Sequence, residues 1–280
     1  MPEVEESIIL IFSKERSNPM ITNSFNQELG KISPKDIYPN GQHISDVCII
    51  TFSNKLMDKI RHEYDLRLVA TMTSTASDIP IYSLIYKGKT ICVYNSFMGS
   101  ALAGTCLMEA SSLVGTSKFI MFGSCGRLDS NIPNHTFIVP TEAYRDEGFS
   151  YHYAPASDYL KIKNHTVIEK FLYEKNLKYV LGKTWTTDSF YKETESEIKQ
   201  RRKEGCVAVE MECAGCQAVS NFYHWDFYEF FFGGDLLDSV VWDKATLGSE
   251  ADKERHNDIF KLALDVNSQS NCRSSRRSCN

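Results

Sequence analysis

Apolar residues along this chain fall into short blocks. Some are continuous or alternating and predict strands; others repeat at three- and four-residue intervals and predict helices. Residues 47–52, 119–122 and 227–232 are compact apolar runs that predict buried strands. Residues 66–72, 79–86 and 90–95 predict three more, the last two joined by Lys87-Gly88-Lys89, a hairpin signal. Residues 136–139, 179–187 and 206–209 complete the strands. Helical spacing runs through Leu56, Met57 and Ile60 in 54–64, and through Leu160, Val167, Ile168, Phe171 and Leu172 in 158–175. Residues 101–114 predict a buried helix of small side chains ending at Gly115, a C-cap. Further helices are predicted at 193–203, 211–222 and 252–265, the last with Ile259, Leu262 and Ala263 inward.

Strands and helices alternate in the second half, after a β-meander in the first. That order predicts an α/β fold in three αβα layers, with a central mixed, mainly parallel twisted sheet. Residues 1–45, with Pro19, Pro34, Pro39 and an Asn40-Gly41 turn, read as irregular. Residues 45–266 carry no linker or repeat and read as a single domain. The Ser/Asn/Arg-rich tail 267–280 reads as disordered.

Composition narrows the function. The 280 residues are 42% hydrophobic, enough for a sizeable core, and the net charge of −5 argues against a nucleic-acid surface. The N-terminus lacks the basic and apolar regions of a secretory signal, and no apolar run is long enough to cross a bilayer. The expectation is a cytoplasmic protein without membrane or nucleic-acid partners. Nine cysteines, several within apolar runs, fit reduced buried thiols better than a disulfide framework. Cys213-Ala-Gly-Cys216 has the C-x-x-C form, but no second pair stands at zinc spacing, so a redox or metal role ranks last.

Ligands of open α/β sheets bind beyond the carboxyl ends of strands. Four segments fall at such ends. Ser96-Phe97-Met98-Gly99-Ser100 opens a helix with small residues that can offer N–H groups to an anion or simply pack closely. Gly123-Ser124-Cys125-Gly126-Arg127 combines close backbone approach with a hydroxyl and an N–H nest. In Val209-Glu210-Met211-Glu212 a carboxylate either caps the following helix or accepts hydrogen bonds from two adjacent sugar hydroxyls. In Gly233-Gly234-Asp235 the acid leaves a buried strand, either as a turn residue or as a general acid.

Together these segments resemble the purine nucleoside phosphorylase/uridine phosphorylase family over roughly residues 45–266. Val209-Glu210-Met211-Glu212 with Ala214-Gly215 looks like its sugar-binding signature. Gly123-Ser124-Cys125-Gly126 looks like its phosphate and base loop, and Asp188-Ser189-Phe190-Tyr191 like the segment that stacks on the base. The intervals from Phe190 to Glu212 and from Glu212 to Asp235 match the purine-specific members without gaps. Residues 145–155 (RDEGFSYHYAP) resemble uridine-cleaving members instead, although the Gln and Arg with which those read uracil fall at Thr194 and Ser196. The base therefore stays open between purine and uracil.

The resemblance implies a nucleoside phosphorylase giving free base and ribose 1-phosphate. Nucleoside and phosphate would be its partners, and the chain would assemble as a dimer or hexamer. No metal or organic cofactor is implied; phosphate is the co-substrate. Glu212, Met98 and Met211 would hold the ribose. Phe190, Cys125, Gly126 and Glu210 would meet the base, Ser124 would bind phosphate, and Asp235 would act as general acid. Three cations of the family are missing. Thr51-Phe52-Ser53-Asn54-Lys55 replaces a Gly-Asp-Pro and Arg element, Met121 stands for an Arg, and Asp252 stands for another. Arg127, Arg145 or Lys55 would have to substitute. A nucleosidase, which uses water and needs no such cations, is the alternative within enzymes; a catalytically silent nucleoside-binding protein is the alternative outside them.

Overall fold

The computed structural model describes residues 20–75, 77–134, 136–239, 242–244 and 258–267. Its elements in chain order are α1 (Pro34–Ile37), β1 (Val47–Thr51), α2 (Asn54–Glu63), β2 (Arg67–Met72), β3 (Ile79–Tyr86), β4 (Lys89–Asn95), α3 (Ser100–Val114) and β5 (Lys118–Arg127). Then come β6 (Phe137–Asp146), β7 (Tyr159–Lys161), α4 (His165–Glu174), β8 (Tyr179–Thr187), α5 (Glu195–Lys203), β9 (Cys206–Glu210), α6 (Cys213–Phe222) and β10 (Asp226–Leu236). A last helix occupies 258–267.

The strands join in one mixed sheet, ordered β10-β6-β8-β9-β5-β1-β4-β3-β2, with β7 on β6. The centre of this sheet forks at β5. One edge of β5 runs parallel to β10 from Lys118 to Arg127. Its other edge pairs with β1 at Lys118–Met121 and then with β9 at Gly126 and Arg127. Because β10 also pairs with β6, β6 with β8 and β8 with β9, five strands close into a ring, and β1-β4-β3-β2 extends from it as an open sheet.

Alternation along the strands explains the layers. Val47 and Ile49 of β1 face one core with α2, α4 and the 258–267 helix, through Leu56, Ile60, Phe171, Phe260 and Leu264. Cys48 and Ile50 face the opposite core with α3 and α6, through Cys106, Leu107, Cys216 and Val219. The β3–β4 hairpin closes as predicted, with Lys87 and Gly88 both at positive φ (50° and 76°), the pairing a primed two-residue turn requires.

Three elements differ from the sequence pattern. The helix expected over 158–175 is the strand β7 followed by α4. Leu160 falls in helical phase with Val167, but it pairs with Ala143 across β6, and Tyr159 donates its hydroxyl to Glu204. The glycine segment 123–126, expected as a turn, continues β5 because β10 and β9 supply partners on both edges. The expected loop at Gly233–Asp235 lies within β10, which runs on to Leu236. Of the irregular segment 1–45, residues 1–19 lie outside the described residues, and the remainder includes α1, started by Pro34 with a Ser33/Asp36 capping box. The tail beyond 267, and residues 252–257 of the expected last helix, also lie outside them.

Among the described residues, no helix is long and apolar enough to cross a membrane. Among the described residues, seven cysteines are free and buried, Cys213 and Cys216 among them, and no group of three His, Cys, Asp or Glu side chains is arranged to hold a metal.

Candidate functional site

The fork at β5 brings the chemistry together. Val209 of β9 lies opposite Gly126, and Gly233 of β10 lies opposite Cys125, so the ends of β9 and β10 flank the same short run of β5. Glu212 stands two residues past the first end and Asp235 at the second.

The Glu212 side is built on a helix–helix contact. Gly99, at φ 96°, turns its N–H onto Glu212 Oε1 at 2.7 Å, a backbone conformation that favours glycine. The adjacent Ser100 hydroxyl donates to the Met211 carbonyl at 3.1 Å. Gly215 makes this approach feasible: a Cβ there would lie 2.5 Å from Ser100 Cβ, so α3 and α6 meet only because that position is bare. Burial, and then the charge of Glu210, push Glu212 up to about 8 against the Gly99 and Met211 N–H groups that hold it down. Met211 flanks Glu212, and Met98, next to Gly99, is 65% exposed. An apolar, open wall thus stands beside an aligned carboxyl.

Glu210 is placed differently from Glu212. Its Oε2 accepts the N–H groups of Glu212 and Cys213, both at 2.7 Å, and its Oε1 accepts the hydroxyls of Thr186 and Thr184. The carboxylate caps α6 from below, and four donors engage it; the geometry brings it to the helix rather than to the cleft. Burial pushes it up to about 7, and these donors oppose the rise. Behind it, Glu229 of β10 is fully buried and pushed well above the usual carboxyl range, first by burial and then by Glu210.

The Asp235 side is more open. Asp235 Oδ2 accepts the indole N–H of Trp242 at 2.7 Å. Its Oδ1 faces β5, 3.5 Å from where a Cβ on Gly126 would sit; that Cβ would collide with Leu237 and Val209, at 2.4 and 2.9 Å, so the packing around the acid requires the glycine. Glu193, just after the turn at the end of β8, is pushed up to about 7 by burial and by the charge of Asp235. That turn carries Phe190, 46% exposed, with its ring against Tyr191 at 3.9 Å between centroids. It is held from below by Asp146, which binds Trp185 and Thr187, and by Asp188, which accepts the Gly148 N–H. Thr194 and Ser196 lie in the N-terminal turn of α5, where Thr194 forms a capping box with Glu197.

On β5 itself, Ser124 is exposed and Cys125 is buried, its thiol directed at the Phe232 carbonyl. Of the arginines proposed to replace the missing cations, Arg145 is committed elsewhere, while Arg127 keeps a buried Nε without a partner. Arg145 donates to Ser150, Ala154, Pro155 and Ser157 and stacks over Tyr151, so it folds the 145–155 stretch onto itself. Arg127 is buried and donates to the Ile132 carbonyl. Lys55 is exposed on the first turn of α2, and the Phe52 ring lies 3.5 Å from where a Cβ on Gly123 would sit. Sequence reasoning missed Glu193 and Trp242. Neither belongs to a recognisable motif, and both reach Asp235 through turns whose course only the fold reveals.

A family model described as the phosphorylase superfamily matches residues 37–267. A purine nucleoside phosphorylase, DeoD-type, of Buchnera aphidicola is 31% identical over 145 residues, half of this chain and 60% of that protein. One of Caldanaerobacter subterraneus is 27% identical over 185 residues, 65% of this chain and 78% of that protein. Among solved structures, an AMP nucleosidase from Bacteroides thetaiotaomicron superposes with a TM-score of 0.65 at 20% identity, covering 86% of this chain and 97% of its own, which is a likeness of fold. With the match running through every strand of the sheet and through both flanks of the β5 fork, the chain belongs to the phosphorylase superfamily.

Proposed function

We propose that this chain cleaves the N-glycosidic bond of purine nucleosides. The observation that carries the reading is the pair of acids on either side of β5: Glu212 aligned by the Gly99 N–H, and Asp235 beyond Gly126. Cleavage builds positive charge on the ribose ring and negative charge on the departing base, as in other glycosyl transfers. Glu212 accepts hydrogen bonds from the 2′ and 3′ hydroxyls, and Met98 and Met211 pack on the sugar. Phe190 stacks on the base, with Cys125 and Gly126 lining its edge. Asp235 donates a proton from Oδ1 to a purine ring nitrogen as the bond breaks, and the bonding electrons leave with the base. Phosphate or water forms the new bond to the anomeric carbon, side chains supply the binding and the proton, and the reading calls for no metal or organic cofactor. Purine is favoured over uracil because the positions that would read uracil, Thr194 and Ser196, serve the start of α5.

Two nucleophiles are possible, and one observation bears on each. The exposed Ser124 hydroxyl at the end of β5 suits phosphate, as do the names of the relatives. The commitment of Arg145 to oxygens of its own 145–157 stretch suits water. Inosine, adenosine and uridine, each with and without phosphate, decide the matter when free base and ribose 1-phosphate are followed. Base release that needs phosphate and yields the sugar phosphate makes the enzyme a phosphorylase. Release of free ribose without phosphate makes it a nucleosidase. No turnover with any purine nucleoside, together with binding lost in Glu212→Ala, would mean a binding protein and overturn the proposal. We also propose that the chain acts as a homo-oligomer in the cytoplasm.

A further inference from the structure

The chain beyond β10 returns on itself and brings an indole to the candidate acid. Leu236 and Asp243 exchange both backbone hydrogen bonds, N–H to O at 2.8 and 3.3 Å, so residues 236 and 243 are paired as in a hairpin. The outgoing arm is pinned at two further places. Leu237 N–H donates to the Arg127 carbonyl of β5 at 3.0 Å. The Asp238 carboxylate binds Arg202 of α5, and also the N–H and hydroxyl of Ser130 at 3.1 Å each. Trp242 stands beside the closing pair. Its Nε1 donates to Asp235 Oδ2 at 2.7 Å while 59% of the residue remains exposed.

A large aromatic left this exposed contributes little to a core, so its pinned position needs another reason. The hydrogen bond supplies one. With Oδ2 occupied by a donor that cannot accept a proton, the oxygen left to carry the transferred proton in this reading is Oδ1, the one turned toward Gly126. When that proton passes to the base nitrogen, the indole N–H remains bonded to the carboxylate that forms, a charge-assisted bond stronger than the one it replaces. The indole gives up no proton itself. We infer that Trp242 is a positioning residue for the protonation of the leaving base, orienting Asp235 and stabilising its anion through the indole N–H. This rests on the reading of Asp235 as the general acid.

Trp242→Phe keeps an aromatic ring and removes the donor. The probes are inosine and 7-methylinosine, whose methylated base already carries positive charge and departs without a proton. Expected is a fall in kcat for inosine of about tenfold to a hundredfold, the worth of one hydrogen bond to a charged group, with KM and 7-methylinosine turnover within about twofold of wild type by the same reasoning. Equal losses on both substrates would reveal a structural role and overturn the inference, as would no loss on either. Asp235→Asn in the same assay separates the two levels. If it slows inosine selectively while Trp242→Phe does not, the acid stands and the role of Trp242 falls. If it leaves inosine untouched, the reading of Asp235 falls too. A readout independent of activity is the indole 15N–1H resonance of Trp242, one of three tryptophans in the chain. It should shift in Asp235→Asn, and an indole proton that exchanges as freely as one in solvent, unmoved by the substitution, also overturns the inference.

Discussion

The two ends of the site are built by different means. At the Glu212 end, the carboxyl rests on a packed contact between α3 and α6, locked by Gly99, Ser100 and Gly215, with Glu210 capping the helix beneath it. At the Asp235 end, the acid lies in the last residues of β10, and Phe190 and Trp242 stand half exposed on the turns that follow β8 and β10, with Trp242 tied to the acid by a single side-chain bond. The difference follows from what each end has to recognise. Every ribonucleoside carries the same pair of 2′ and 3′ hydroxyls, so a preformed, rigid acceptor serves them all. The base varies, and turns tolerate substitutions that would disrupt a helix–helix contact.

The largest effect should come from removing the rigid end. Above pH 8, where Glu212 is ionised, Glu212→Ala removes two hydrogen bonds from sugar hydroxyls to a charged acceptor, each worth about 1.5–3 kcal/mol, so kcat/KM there should fall by roughly a thousandfold. Steady-state kinetics on inosine check this. A loss under tenfold would mean that the sugar is held elsewhere and that the contrast between the ends is mistaken. Next is Asp235→Asn. General acid catalysis contributes about a hundredfold or more, and the loss should lie in kcat rather than KM, because the proton moves only as the bond breaks.

These two residues were legible in the sequence because each closes a run of apolar positions and lies in a recognisable motif. What they touch was not. The Gly99 N–H that aligns Glu212 comes from the N-cap of α3, far away in sequence, and no periodicity links the two. Glu210 and Glu212 sit in one motif and look equivalent, yet one carboxylate is consumed as a cap while the other stands at the cleft. That distinction depends on where Thr184 and Thr186 of β8 fall, which only the β8–β9 register fixes. The ring of strands was hidden for a similar reason. β5 switches its partner from β1 to β9 midway, and a strand's own side-chain pattern carries no record of its neighbours.

A smaller effect tests the looser end. Phe190→Ala removes one aromatic contact to the base, worth about 0.5–1.5 kcal/mol, so KM for inosine should rise roughly threefold to tenfold with kcat nearly unchanged. The ring is already half exposed in the free protein, so its truncation should leave the thermal midpoint within about two degrees. A large loss of stability would show that the turn after β8 is as tightly packed as the α3–α6 contact, and the two ends would then be alike.

The finest test concerns the acids stacked behind the rigid end. Glu210, Glu212 and Glu229 are all raised by burial above an ordinary glutamate near 4.5, the first two to about 7 and about 8, and Glu229 well beyond its usual range. A buried acid of this kind keeps its proton in the fold and loses it on unfolding. The stability it contributes is complete below about 4.5 and declines as pH rises toward the folded pKa. Glu210 and Glu212 decline over the same range, so a variant that lacks only Glu229 isolates its share. Glu229→Gln removes its dependence, and thiols and phenols that also titrate there are common to both proteins and cancel. Urea unfolding between pH 5 and pH 9 should therefore show the variant gaining on wild type as pH rises above the ordinary glutamate range, at up to about 1.4 kcal/mol per pH unit. A difference that stays constant from pH 5 to pH 9 would mean that Glu229 is ionised within the fold. The rigid end would then rest on a buried charge rather than on a neutral acid.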